Sequence, residues 1–146
     1  MVLSYRLGEN KVKIMVADNS PLFAEGLKNL LTAEKFEFIG VAKDGQETFQ
    51  MALKEHPEVI LMDINILNIE GVSIIKEIKN NLDNINIIVI ANFDKKDNLF
   101  KVIKAGASGY MFKYLLGEEL LDSLSEIKKK QSFIFPQFEE FIFDNK

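Results

Sequence analysis

The chain has 146 residues, of which 47% are hydrophobic and 27% are charged, and its net charge is -4. This length suits one domain with a proper core, and the acidic balance excludes a broad electrostatic attraction to nucleic acid or to an anionic membrane. Without cysteine and with a single histidine, His56, the chain cannot form disulfides, thiolate metal sites or multi-histidine metal sites.

Composition divides the chain into three segments. Residues 1–11 lack the hydrophobic core of a signal peptide, and no apolar run in the chain approaches the length of a membrane span. We interpret residues 1–11 as an N-terminal leader, residues 12–131 as the folded domain and residues 132–146 as an aromatic tail or linker. We expect a cytoplasmic location and no membrane partner.

Apolar residues alternate between strand and helix spacing along the chain. The predicted strands cover residues 12–17, 36–42, 59–62, 86–91 and 108–112. The predicted helices cover residues 21–32, 45–56, 71–82, 94–104 and 118–130, and residues 64–70 are predicted as a loop. Pro57 is expected to end the second helix, with His56 solvated beside it. Five strand and helix pairs in strict alternation imply an α/β fold with a parallel sheet covered by helices on both faces.

Asp63 directly follows the predicted strand at 59–62, whose four apolar residues indicate burial on both faces of a parallel sheet. A charge at the end of a buried strand is costly unless it lies at the carboxyl end, where open α/β sheets place ligands and chemistry. Asp63 is therefore the first candidate site residue. The alternative is an ordinary turn aspartate at the start of the next loop.

Other polar residues follow the predicted strands and would meet Asp63 at one edge of the sheet. Asp18 and Asn19 follow the first strand, Asn65 comes shortly after the third, and Lys113 follows the fifth. Carboxylates can hold a hard cation, and lysine supplies a charge for phosphate. A carboxylate can also act as a nucleophile that forms an acyl phosphate. The alternative is that the acids are helix caps and Lys113 is solvated.

Three sequence blocks resemble the receiver domains of two-component response regulators, most of all receivers that precede a LuxR-type helix-turn-helix. These blocks are VADNSPLF at 16–23, ILMDIN at 60–65 and KAGASGYMFK at 104–113. The resemblance implies a flavodoxin-like, doubly wound, five-stranded parallel sheet in the order 2-1-3-4-5. It also implies a signalling protein and not an enzyme.

The resemblance also implies roles for individual residues. Asp63 matches the phosphoacceptor, which would receive its phosphoryl group from a sensor histidine kinase. Asp18 matches the first acid of a Mg²⁺-binding pair, and Asn65 matches the position whose backbone carbonyl binds the metal together with Asp63. Lys113 matches the lysine that pairs with the phosphoryl group, and Tyr110 matches the aromatic residue that changes rotamer on activation.

Two positions depart from the family pattern. Asn19 stands where the second acid is usual, so it can offer an oxygen but no charge, and we expect weak magnesium binding. Ala91 stands at the switch position, where a serine or threonine hydroxyl normally contacts the phosphoryl group, and alanine cannot donate that hydrogen bond.

Two hypotheses follow for the function. The first is a phosphorylated receiver that controls a transcriptional or protein-interaction output. The second is an atypical receiver that acts as a phosphorylation-independent interaction module. DNA binding would require a domain that this chain lacks. The aromatic tail is expected to pack on the last helix of the domain, with a homodimer or partner surface as the alternative.

Overall fold

Strands and helices alternate in a computed structural model that describes residues 11–34, 36–66, 71–91, 96–112 and 117–129. The strands are β1 (Lys13–Ala17), β2 (Glu37–Ala42), β3 (Val59–Asp63), β4 (Asn86–Ala91) and β5 (Gly109–Phe112). The helices are α1 (Pro21–Ala33), α2 (Gly45–Glu55), α3 (Gly71–Asn81), α4 (Lys96–Ala105) and α5 (Glu118–Lys129).

All five strands are parallel and lie in the order β2-β1-β3-β4-β5. This order confirms the predicted flavodoxin-like sheet, since β1 pairs with β3 and the chain crosses over between them. Helices cover both faces, as expected for parallel strands joined by crossover connections. The sheet therefore brings the ends of β1 and β3 together, although about 45 residues of chain separate them.

Two apolar layers form the core, one on each face of the sheet. Strand β3 contributes to both, because Ile60 and Met62 pack in one layer while Val59 and Leu61 pack in the other. Helices α2, α3 and α4 cover the first layer, and α1 and α5 cover the second. Every residue of β3 is buried, which confirms that the apolar run at 59–62 is a central strand.

Side-chain caps begin the first two helices. Ser20 Oγ accepts a hydrogen bond from Phe23 N at 3.3 Å, and Pro21 takes the first position of α1. Asp44 Oδ1 accepts from Glu47 N at 2.8 Å at the start of α2. Each cap is worth roughly 1 kcal/mol, because it satisfies a backbone donor that has no partner inside the helix. The cap of α1 also fixes how the chain leaves β1 after Asp18.

Several predicted elements begin or end one residue away from their observed bounds, and β3 includes Asp63 as its last residue. Two further differences concern residues 64–66 and the end of α2. Residues Ile64–Ile66 form a short 3₁₀ helix with Ile66 buried, whereas a loop was predicted from residue 64. Helix α2 ends at Glu55, one residue earlier than predicted, with His56 as its left-handed C-cap at φ 51° and Pro57 directly after the cap. His56 is exposed, as predicted.

Some predictions fall outside the described residues. These include residues 1–10 of the leader and the aromatic tail at 132–146. Among the residues that are described, no helix is both long enough and apolar enough to cross a membrane.

Candidate functional site

Asp18 and Asp63 lie side by side at the carboxyl edge of the sheet. Their preceding residues, Ala17 and Met62, are register partners in the β1–β3 pair. Both carboxylates are buried, with exposed fractions of 2% for Asp18 and 3% for Asp63. Two neighbouring buried carboxylates repel each other and are costly to desolvate, so a cation at this edge would stabilise them.

The backbone orients the two carboxylates in the same way. Asp18 Oδ1 accepts a hydrogen bond from Ser20 N at 2.7 Å, and Asp63 Oδ1 accepts from Asn65 N at 2.6 Å. Aspartate forms such bonds readily with the N–H two residues ahead of it. In addition, Asp18 N donates to Ala42 O at 2.9 Å, which ties the turn to the end of β2. Both side chains are therefore held in place by local backbone geometry.

Among the described residues, the polar side chains that follow β1 and end β3 offer oxygen atoms as ligands. Asn19 and Asn65 are both exposed. Asn19 is the second residue after β1, and Asn65 lies in the 3₁₀ helix after β3. Oxygen donors suit a hard cation such as Mg²⁺. Within the described ranges, no group of three or more histidine, cysteine, aspartate or glutamate residues could hold a metal ion. The residues thus fit magnesium by donor type, but they supply only two negative charges.

The predicted switch positions lie on neighbouring strands. Ala91 is the last residue of β4, is 2% exposed, and pairs with Phe112 on β5. Tyr110 is 5% exposed and belongs to the same apolar layer as Ala91. The Tyr110 ring contacts the Phe112 ring edge to face, with 6.2 Å between the centroids. Lys113 lies outside the described residues, so its role stays a prediction.

A cavity of about 230 Å³ lies beside Asp18, between α1 and the ends of β1 and β2. Its walls include the apolar residues Pro21, Ala24 and Val41, while the charged residues Glu25, Lys28 and Lys43 are exposed around it. Sequence reasoning missed the two lysines. Lys43 follows a predicted strand directly, as Asp18 and Asp63 do, and that position was the signal that could have identified it. The cavity opens next to Asp18, whose own side chain stays buried.

The chain is similar to curated transcriptional regulators. It is 34% identical over 119 residues to the uncharacterized transcriptional regulatory protein YxjL of Bacillus subtilis, with 81% of this chain and 55% of that protein covered. It is 29% identical over 136 residues to the transcriptional regulatory protein DegU of Brevibacillus brevis, with 92% and 58% covered. The chain therefore spans a little more than half the length of these relatives.

Solved structures share the fold. A LuxR-family two-component response regulator from Aurantimonas sp. SI85-9A1 superposes with a TM-score of 0.79 at 21% identity, covering 92% of this chain and 96% of that one. In sequence, residues 14–125 match the family model for the response regulator receiver domain. This match confirms the resemblance that the three sequence blocks indicated. The chain belongs to the response regulator receiver domain family, whose members are signalling proteins and not enzymes.

Proposed function

We propose that this chain accepts a phosphoryl group on Asp63 from the phosphohistidine of a partner sensor kinase, and so controls a transcriptional output. The observation that carries the proposal is the buried pair of Asp18 and Asp63, held side by side by the β1–β3 register. Neighbouring buried carboxylates are typical of functional sites, where burial and like charges are arranged to suit a chemical task.

The chemistry is a phosphoryl transfer between two side chains. An oxygen of the Asp63 carboxylate attacks phosphorus, the phosphorus–nitrogen bond of the phosphohistidine breaks, and the imidazole leaves with the electron pair and takes up a proton. The product on Asp63 is an acyl phosphate. Because the incoming phosphoryl group is itself anionic, positive charge must offset the two carboxylates. We propose that Lys113 supplies part of that charge.

Magnesium is the proposed cofactor. The carboxylates of Asp18 and Asp63 and the backbone carbonyl of Asn65 would hold it, and Asn19 would add a neutral oxygen. Bound magnesium would offset the negative charge of the carboxylates and of the phosphoryl group. With only two formal charges in the site, we expect its affinity to be weak.

The alternative is an atypical receiver that binds partners without phosphorylation. Ala91 favours it, because no hydroxyl at the end of β4 can contact a phosphoryl group on Asp63. The names of the relatives, which describe transcriptional regulators, support the first proposal instead. The two functions differ in whether Asp63 carries a phosphoryl group at all.

Intact-mass measurement after incubation with a small acyl phosphate and Mg²⁺ tests the proposal. We expect the mass of one phosphoryl group to be added, and the addition to disappear in Asp63→Asn and in protein depleted of divalent cations. Asp122→Asn is the matched control, since Asp122 is an exposed carboxylate on α5. No addition at saturating donor and magnesium would reject phosphorylation and favour the interaction module.

We further propose a cytoplasmic location, because the phosphodonor would be a sensor kinase whose phosphorylated histidine lies in the cytoplasm. DNA binding is assigned to a separate domain, since the chain covers only 55% and 58% of the two relatives described above. Self-association into a homodimer is proposed as the state that would present two such domains to DNA.

A further inference from the structure

Lys79 connects the end of α3 to the loop that leads into β4. It lies in the last turn of α3, and its side chain is half-buried. Its Nζ donates hydrogen bonds to Asp83 O at 3.0 Å and to Ile85 O at 2.8 Å. Ile85 is buried and directly precedes β4. A charged donor to a backbone carbonyl makes a stronger bond than a neutral one, so the ammonium group fixes this loop effectively.

The aliphatic stem of Lys79 packs against the turn between α4 and β5. A Cβ atom placed on Gly106 would lie 2.9 Å from Lys79 Cγ and 3.5 Å from its Cβ. Gly106 has φ +116°, so it ends α4 in a conformation that favours glycine. The absence of a side chain at Gly106 thus lets the lysine stem lie directly on the turn.

The stem has little freedom to move away. Its Cα end belongs to α3, and its Nζ end is bonded to two carbonyls, so the Cγ atom over Gly106 is held from both sides. The same turn is bonded to the sheet, because Ser108 N donates to Ile87 O at 2.8 Å. Two parts of the chain that are far apart in sequence, residues 79–85 and the turn that begins at Gly106, therefore meet at one side chain.

We propose that Lys79 is a pin that holds the α4–β5 turn against the α3–β4 loop at the amino edge of the sheet, the edge where the strands begin. The pin fixes the carboxyl end of α4 and the start of β5, the strand that carries Tyr110. It acts at the opposite edge from Asp63, about 15 Å along the strands. The proposal stands on contacts in the resting protein and does not depend on phosphorylation.

Hydrogen–deuterium exchange of the unmodified protein tests the pin. Lys79→Met keeps an unbranched stem over Gly106 but removes the ammonium group, and Lys76→Met is the control on the same helix, since Lys76 is exposed. We expect the amides of residues 82–86 and 106–109 to exchange roughly tenfold faster or more in Lys79→Met, because the substitution removes two charge-assisted hydrogen bonds. Equal exchange of these segments in both variants would overturn the proposal.

A double-mutant cycle tests the contact between the stem and the turn. Gly106→Ala is strained by its φ in any background, but it meets the stem only when Lys79 is present. We expect Gly106→Ala to lower the unfolding midpoint less in a Lys79→Ala background than in the wild type. An identical shift in both backgrounds would show that the stem does not press on the turn, and would overturn this part of the pin.

Discussion

Asp18 and Asp63 are neighbours because Ala17 and Met62, the residues before them, are register partners across β1 and β3. A shift of this register would move the two carboxylates apart along the strands. A single cation could then no longer offset the negative charge of both. The pairing makes the two acids one electrostatic unit, so changes to either acid, or to Asn19 beside them, should alter metal binding and stability together.

Asn19→Asp should strengthen magnesium binding. The added carboxylate raises the formal charge of the ligand set, and we expect an increase in affinity of roughly tenfold, which equals about 1.4 kcal/mol. Isothermal titration calorimetry measures the change. Asn84→Asp adds the same charge at an exposed position on the other edge of the sheet. An equal increase in that control would mean that net charge, and not coordination, is responsible.

Asp63→Asn should stabilise the protein in metal-free buffer. The substitution removes the repulsion between two buried carboxylates while keeping an oxygen to accept the bond from Asn65 N, and we expect a gain of about 1 kcal/mol. Magnesium should then raise the unfolding temperature of the wild type but not of the variant, because only the wild type holds the metal. Thermal unfolding with and without magnesium checks both effects. If magnesium does not change the unfolding temperature of the wild type, the proposed metal site is wrong.

Ala91→Ser should cost stability at rest and recover it when Asp63 is phosphorylated. A buried hydroxyl without a good partner costs about 1–3 kcal/mol, and a phosphoryl group at the end of the neighbouring strand would accept its hydrogen bond. Chemical unfolding with and without beryllium trifluoride, a phosphoryl mimic, measures the recovery. Ala52→Ser is the control, since Ala52 is fully buried in α2 away from this edge. The hypothesis fails if both variants respond alike.

The stability that Lys79 provides should depend on pH in the alkaline range. Burial lowers the pKa of Lys79, although the charge of Asp83 acts in the opposite direction. Between the lowered pKa and the ordinary lysine value, the unfolded chain binds a proton that the folded chain has released, so stability rises with pH. The free energy of unfolding of the wild type should therefore increase relative to Lys79→Met as pH rises through this window.

Urea unfolding at a series of alkaline pH values measures this difference. Lys76→Met should run parallel to the wild type, because it retains Lys79. If the wild type and Lys79→Met differ by a constant amount across the range, the altered pKa of Lys79 does not contribute to stability.

Local sequence signals predicted most of the elements and failed where the backbone departs from its usual conformations. The apolar run at 59–62 and the cap at Ser20 identified β3 and α1 well, since burial and capping act over a few residues. Pro57 predicted the end of α2 to within one residue, but the left-handed cap at His56, with φ 51°, has no local signal in the sequence. The contact between the Lys79 stem and Gly106 could not be predicted from neighbouring residues, because the two residues belong to different helix–strand units.

The sequence by itself determined the alternating elements, the central position of β3 and the placement of carboxylates after two apolar strands. These features depend on side chains close together in the chain. The sequence also predicted that Asp18 and Asp63 would meet at one edge of the sheet. Only the tertiary structure decided that the strand register places them side by side, that both are buried, and that Asn19 and Asn65 are exposed. The reason is that strand pairing and desolvation arise from contacts across the sheet, which the order of residues along the chain does not fix.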